Sequence, residues 1–288
     1  MAMKWGFANS LRPNERSFLH RIDRIVWRSF ALLVLTMTVS SFHISTVSLF
    51  IVSTLMFVTC ALSSLHLFGG PRALRFIALA VGIGFFAEYT GHHYGWFFGN
   101  YKFTDALGFR LFAVPVTIPM MWFNLTYIGY VMGNLLVFHA PTDATRKPRW
   151  SLASSIVSAM LVTAYDLGAD PYMVFSVKAW IMEITDGGWF GETLQGFVGW
   201  FVVALVILVS FKLSIRNTPS TSVVPFRKLD ALIPVLILAA LTGFQITHGE
   251  PIETRVIAVF ALGLPLTVAL LNWPHWNWNA STEGAERA

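Results

Sequence analysis

Eight long apolar runs decide what this chain can fold into. They are Ile25–Ser41, Val47–Phe68, Arg75–Gly91, Leu111–Phe138, Ser151–Leu167, Leu194–Leu213, Ala231–Ile246 and Val256–Trp273. A bilayer core about 30 Å thick is crossed by roughly 20 mostly apolar helical residues. Inside lipid the backbone has no water to bond, so a spanning segment is a helix unless it belongs to a closed barrel. Alternating strand patterns are absent. The runs therefore predict an all-α polytopic membrane bundle of about eight transmembrane helices. The count becomes seven if the first or seventh run, both among the shortest, lies at the interface. Composition excludes the alternatives. Of 288 residues, 55% are hydrophobic and only 12% charged, with mean hydropathy +0.62. Soluble domains carry about 25% charged residues, and disordered chains are poor in apolar and aromatic ones.

The basic residues set an orientation. Sixteen of the 20 Lys and Arg precede the first run, lie in alternate loops or follow the last run; only Lys102, Arg110, Lys178 and Arg255 lie on the other side. The positive-inside rule then places both termini in the cytoplasm. It also explains the pI near 9.5 without nucleic acid. Cys60 is the sole cysteine, which excludes an internal disulfide. Three regions follow: an N-terminal interfacial segment 1–24, a single transmembrane domain 25–273 and a tail 274–288. The first lacks the early apolar core of a signal peptide. Its Leu11, Phe18, Leu19 and Ile22 alternate with Arg at helical spacing, as in an interfacial helix. In the tail, Trp273, Trp276 and Trp278 read as an interface anchor.

Nine of the 15 acidic residues fall at the opposite, non-cytoplasmic ends. Asp186, Glu192, Glu250 and Glu253 read as solvated loop residues. Glu88 and Asp166 do not, because each lies inside an apolar run. A carboxylate within a span needs a partner, a water-filled cavity or a proton. Glu88 opens the densest stretch, which runs through His92, His93, Tyr94, Trp96, Phe98 and Tyr101 to Asp105. Adjacent histidines invite a metal reading, but no HxxxH or HExxH spacing accompanies them, and no metal is expected. Asp166 and Asp170 stand four apart, so on one helix they are neighbours; carboxylates so close repel, and one keeps a proton. Pro171 predicts a helix end at Asp170, with Asp170 as cap of a following helix the alternative. A third stretch, Trp180–Glu183 and then Trp189 to Phe201, reads as an amphipathic segment and a turn back into the membrane. Intramembrane carboxylates facing aromatic rings suit protonation of a greasy alkene, because ring faces stabilise cations.

These residues also carry a resemblance. Glu88, Gly91, Gly95, Phe98, Gly99, Tyr101, Phe103, Thr104, Leu107 and Gly108, followed by Leu111, Pro115, Pro119 and Trp122, resemble the first characteristic region of the carotenoid 1,2-hydratase and bisanhydrobacterioruberin hydratase family. Asp166, Leu167, Asp170 and Pro171, then Trp180, Gly191, Gly199, Trp200 and Phe201, resemble its second. The likeness spans roughly residues 75–205. The family usually has proline at Phe97 and often asparagine at Gly196, and the His92–His93 pair is unusual in it. The resemblance implies a multi-pass membrane hydro-lyase that adds water across the terminal C1–C2 double bond of a linear or monocyclic carotenoid, giving a tertiary alcohol. The clustering of in-membrane carboxylates on one side adds the expectation of acid catalysis, with Asp166, Glu88 and Asp170 as acid and base and with His92, His93, Tyr94, Trp96, Phe98, Tyr101, Trp122, Trp180 and Trp200 around the substrate. No cofactor is implied. The partners are membrane lipid, an apolar carotenoid or isoprenoid, water and other carotenoid-biosynthesis enzymes. A cyclase or isomerase would share the protonation step but lose a proton instead of adding water. A transporter or carotenoid-binding scaffold would favour an inverted repeat, and none is present.

Overall fold

A computed structural model describes residues 13–143, 147–183, 187–216 and 228–276, with the side chains of 13–23 and of Lys228 left out. The expectations placed on Leu11, Asp186 and Trp278 lie outside the described residues.

The chain is a bundle of helices: α1 (Pro13–Ser41), α2 (Thr46–Phe68), α3 (Gly70–Tyr94), α4 (Thr117–Phe138), α5 (Pro148–Tyr172), α6 (Leu194–Ile215), α7 (Leu232–His248), α8 (Glu253–Ala261) and α9 (Gly263–Leu271). Among the described residues, seven segments are long and apolar enough to cross a membrane: α2 to α7, and α8 with α9 taken together. The last expected run is thus two short helices broken at Leu262. α1 runs without interruption across residue 24, and the helix as a whole packs along α2.

Local chemistry sets the helix ends. Ser45 and Ser48 form a reciprocal capping box at the start of α2, with Ser48 N donating to Ser45 Oγ (3.1 Å) and Ser45 N to Ser48 Oγ (2.8 Å). This satisfies two otherwise orphaned donors. Gly95 ends α3 in the left-handed conformation (φ 68°), its N–H donating to the Gly91 carbonyl at 2.8 Å, a conformation costly for residues with a Cβ.

α4 is the axis. It touches α2, α3, α5, α6, α7 and α9, so protein rather than lipid surrounds it, and Asn124, Thr126 and Asn134 are buried within it. At one end of the bundle, Arg75 of α3 donates to the Ser214 carbonyl of α6 (3.1 Å) and Lys212 pairs with Asp143 (3.1 Å). At the other end, Gln195 of α6 donates to the Gly95 carbonyl (2.9 Å). The sequence predicted no strands, yet two ribbons close this second end. β1 (Tyr101–Phe103) pairs antiparallel with β4 (Trp180–Met182), Tyr101 opposite Met182 and Phe103 opposite Trp180. β2 (Arg110–Leu111) pairs with β3 (Val114–Pro115). Strands of two or three residues are too short to show alternation, and β1–β4 joins segments far apart in the chain. The expected amphipathic segment at Trp180 is therefore a strand. Trp276, expected at the interface, is buried and donates its indole N–H to the Ala269 carbonyl at 3.0 Å.

Candidate active site

The ribbon end encloses four carboxyl side chains. Glu88 sits in the last turns of α3, buried. Its Oε1 accepts from the Trp122 indole N–H (2.8 Å), and its Oε2 accepts from the Tyr101 hydroxyl (2.6 Å). Gly84 seats Trp122, since a Cβ there would come within 2.7 Å of the Trp122 side chain. Burial, reinforced by the neighbouring Glu88, holds the Tyr101 phenol well above its ordinary range, so it keeps its proton and donates. An indole N–H can only donate. With a donor on each oxygen, Glu88 has the surroundings of a carboxylate anion.

α5 supplies Asp166 and Asp170 on one face. Asp166 is 1% exposed, and its Oδ2 has no hydrogen-bond partner among the described residues. Asp170 accepts from the Trp180 indole N–H at 2.9 Å. The helix end expected at Asp170 does not occur. α5 continues through Pro171 and passes into a π-helical turn, Met173–Val177. Proline has no N–H, so the Leu167 carbonyl four residues earlier loses its helical donor. The Trp189 indole N–H replaces it at 3.0 Å. That bond compensates the backbone and fastens the loop after β4 to α5.

The same loop brings in Glu192, which corrects the reading of that residue as solvated: it is 5% exposed. Its carboxyl hydrogen-bonds the Asp170 carboxyl, a contact that needs a shared proton. Its Oε2 has no donor among the described residues. Burial first, and Asp170 beside it second, push the Glu192 pKa far above the carboxylate range, to about 10. Gly196 in the first turn of α6 leaves room for it, since a Cβ there would lie 2.6 Å from Glu192 Oε1. Glu192 was legible only as an acid set among Trp189, Phe190 and Gly191 rather than among other charges.

All four acids line one chamber of about 80 Å³, together with Phe98, Tyr101, Phe103, Trp122, Trp180 and Trp200. The Trp122 and Trp200 rings are 4.5 Å apart, and Phe98 stacks on Trp122 at 6.0 Å. A second cleft of about 870 Å³ lies alongside, lined by Val174, Phe175, Ile181 and Phe190 among others. Asp170, Trp180, Met182 and Glu192 line both spaces and so form the wall between them.

The structure thus gathers Glu88, Asp166, Asp170, Phe98, Tyr101, Trp122, Trp180 and Trp200. It leaves His92, His93, Tyr94 and Trp96 outside the chamber lining. The reason is that α3 runs on to Tyr94. His92 stacks on Phe103 at 5.8 Å, while His93, Tyr94 and Trp96 are exposed. Among the described residues, no three His, Cys, Asp or Glu side chains are grouped as metal ligands. The arrangement offers a buried acid with one oxygen unpartnered among the described residues, a buried carboxyl with a donor on each oxygen, and ring faces in one small space.

No curated protein and no solved structure matches this chain significantly. A family described as carotenoid biosynthesis protein matches residues 44–266, which include every helix that lines the chamber. This chain belongs to the carotenoid biosynthesis protein family.

Proposed function

We propose that this protein is a carotenoid hydratase, adding water across the terminal C1–C2 double bond of a linear or monocyclic carotenoid. The observation that carries the reading is the convergence of Glu88, Asp166, Asp170 and Glu192 on one ring-lined chamber. Hydration of an isolated alkene needs a proton donor, a place for a tertiary cation and a base for the attacking water. Asp166 is the donor. Its Oδ2 is buried without a partner among the described residues, and an ionised carboxylate so placed is strongly disfavoured, so it holds a proton and delivers it to C2. The C1 cation lies against the faces of Trp122, Trp200 and Phe98, which attract positive charge. Glu88, anionic between its two donors, supplies the countercharge. Water then attacks C1, and Asp170 takes its proton. Acid–base assistance of this kind contributes about 10²–10⁴-fold; the cation's surroundings supply the rest.

Membrane residence follows from the seven spanning segments. The skew of Lys and Arg supports termini in the cytoplasm and a chamber in the opposite half of the bilayer, consistent with residence in the inner membrane of a prokaryote. The test is pigment analysis in a lycopene-producing host grown in oxygen-18 water. Wild type is expected to yield a labelled tertiary alcohol, and Asp166→Asn and Glu88→Gln at most a trace. Unlabelled cyclised or isomerised product would instead identify a proton-losing enzyme. Wild-type alcohol levels in both variants would remove these residues from the chemistry.

A further inference from the structure

We infer that Glu192 is a further catalytic residue, the group through which water enters the chamber from the neighbouring cleft and through which the acid is reset. The inference rests on the hydratase reading and adds to it a fourth carboxyl and a direction for water. The chamber, about 80 Å³, has room for the reacting end of a polyene and little more. Water must therefore arrive through a wall, and the wall shared with the 870 Å³ cleft is made of Asp170, Trp180, Met182 and Glu192. The cleft's rim residues Phe175 and Ile181 are half or more exposed, so the cleft opens outward. Two of the four wall residues are acids whose carboxyls lie within hydrogen-bonding reach of each other, a contact that is attractive when one of them holds a proton. Asp170 is held in place by Trp180 (2.9 Å). Glu192 has an oxygen with no donor among the described residues, although the residue is 5% exposed. A buried carboxyl oxygen with no donor among the described residues, at the boundary of an open cleft that Thr104 and Lys178 also line, is placed to bind a water molecule.

The proton count closes. Asp166 gives its proton to C2 and becomes a carboxylate. Water held by Glu192 adds its oxygen to C1. The proton it releases passes to the Asp170–Glu192 pair, which then holds two. One of these moves to Asp166, restoring the start. The net change is one water added to one double bond. The titratable groups facing Glu192 are Asp166, Asp170 and Tyr165 of α5, Glu88 of α3, Tyr101 of β1 and, in the cleft, Lys178.

The experiment measures hydration of lycopene by membranes carrying wild type, Glu192→Gln and Glu192→Asp across a pH series. Glutamine keeps the size and a hydrogen bond to Asp170 but carries no exchangeable acid. Glu192→Gln is expected to slow hydration by about 10²-fold and to change the shape of the pH–rate profile. Glu192→Asp is expected to recover most of that loss. Wild-type rate and profile in Glu192→Gln overturn the inference, and so does an equal loss in both variants, which marks a merely structural role. Should wild type itself make no alcohol, the hydratase reading fails, and with it the role in water addition. Infrared spectroscopy of the purified protein then judges the shared proton separately. A protonated-carboxyl C=O band that persists at mildly alkaline pH and disappears in Glu192→Gln supports it; an unchanged band overturns it.

Discussion

Tyr101 shows how one side chain can set the state of another. Its hydroxyl donates to Glu88 from a strand, across the fold from the helix that carries the acid. Hydrogen bonds to charged groups contribute about 1.5–3 kcal/mol, so Tyr101→Phe is expected to cost that much stability. Thermal unfolding in detergent checks it, and hydration should slow in parallel because the anion loses a donor. Glu192 makes the opposite kind of prediction. Its proton is bound more tightly in the folded than in the unfolded chain. Its stabilising contribution is therefore complete below the ordinary carboxylate range and is lost as pH climbs towards about 10. Wild type should lose melting temperature steadily over that window. Glu192→Gln should flatten the slope and melt higher than wild type at its alkaline end. A parallel slope in both proteins would place the titration elsewhere.

The behaviour of α5 turns on a single proline. Pro171 removes a backbone donor, the Leu167 carbonyl is rescued by Trp189, and the rescue ties down the loop bearing Glu192. Trp189→Phe should leave that carbonyl unpaired, at about 1–3 kcal/mol. It should also expose the loop to protease. Pro171→Ala restores the helical N–H, so the double variant should lose less than Trp189→Phe alone. Neighbouring groups that share a partner are non-additive in this way, and a double-mutant cycle of melting temperatures measures the coupling. Additive losses would mean that Trp189 acts only through packing. The spacing of Asp166 and Asp170 on one helix face was legible in the sequence. The continuation of the helix past Asp170 was not, because proline's local preference is to end a helix, and an indole from a loop some twenty residues later overrides it.

At the scale of the whole molecule, the two ends of the bundle carry different polar clusters. Opposite the acid chamber, Lys212 is 6% exposed and bonds Asp143 (3.1 Å) and the Ser154 hydroxyl (2.5 Å), joining α6 to the α4–α5 connection. Breaking a fully buried pair from one side costs about 3–5 kcal/mol, and Asp143, 17% exposed and still bonded by Ser151, sets the cost here below that. Lys212→Met should therefore unfold at a markedly lower temperature, and Lys212→Met with Asp143→Asn should recover part of the loss. Neither change should alter the product made at the far end. Hydropathy, charge skew and the spacing of acids on a helix are properties of contiguous residues, and they were enough to determine a helical membrane bundle and to single out Glu88, Asp166 and Asp170. Which residues share a chamber depends on segments distant in the chain. Tyr101 meets Glu88 from a strand paired with the distant β4, the turn of α3 carries His93 and Tyr94 outward, and Glu192 is buried on a loop fastened to α5. No local pattern encodes those encounters, because burial and partnership belong to the packed assembly and not to any window of the sequence.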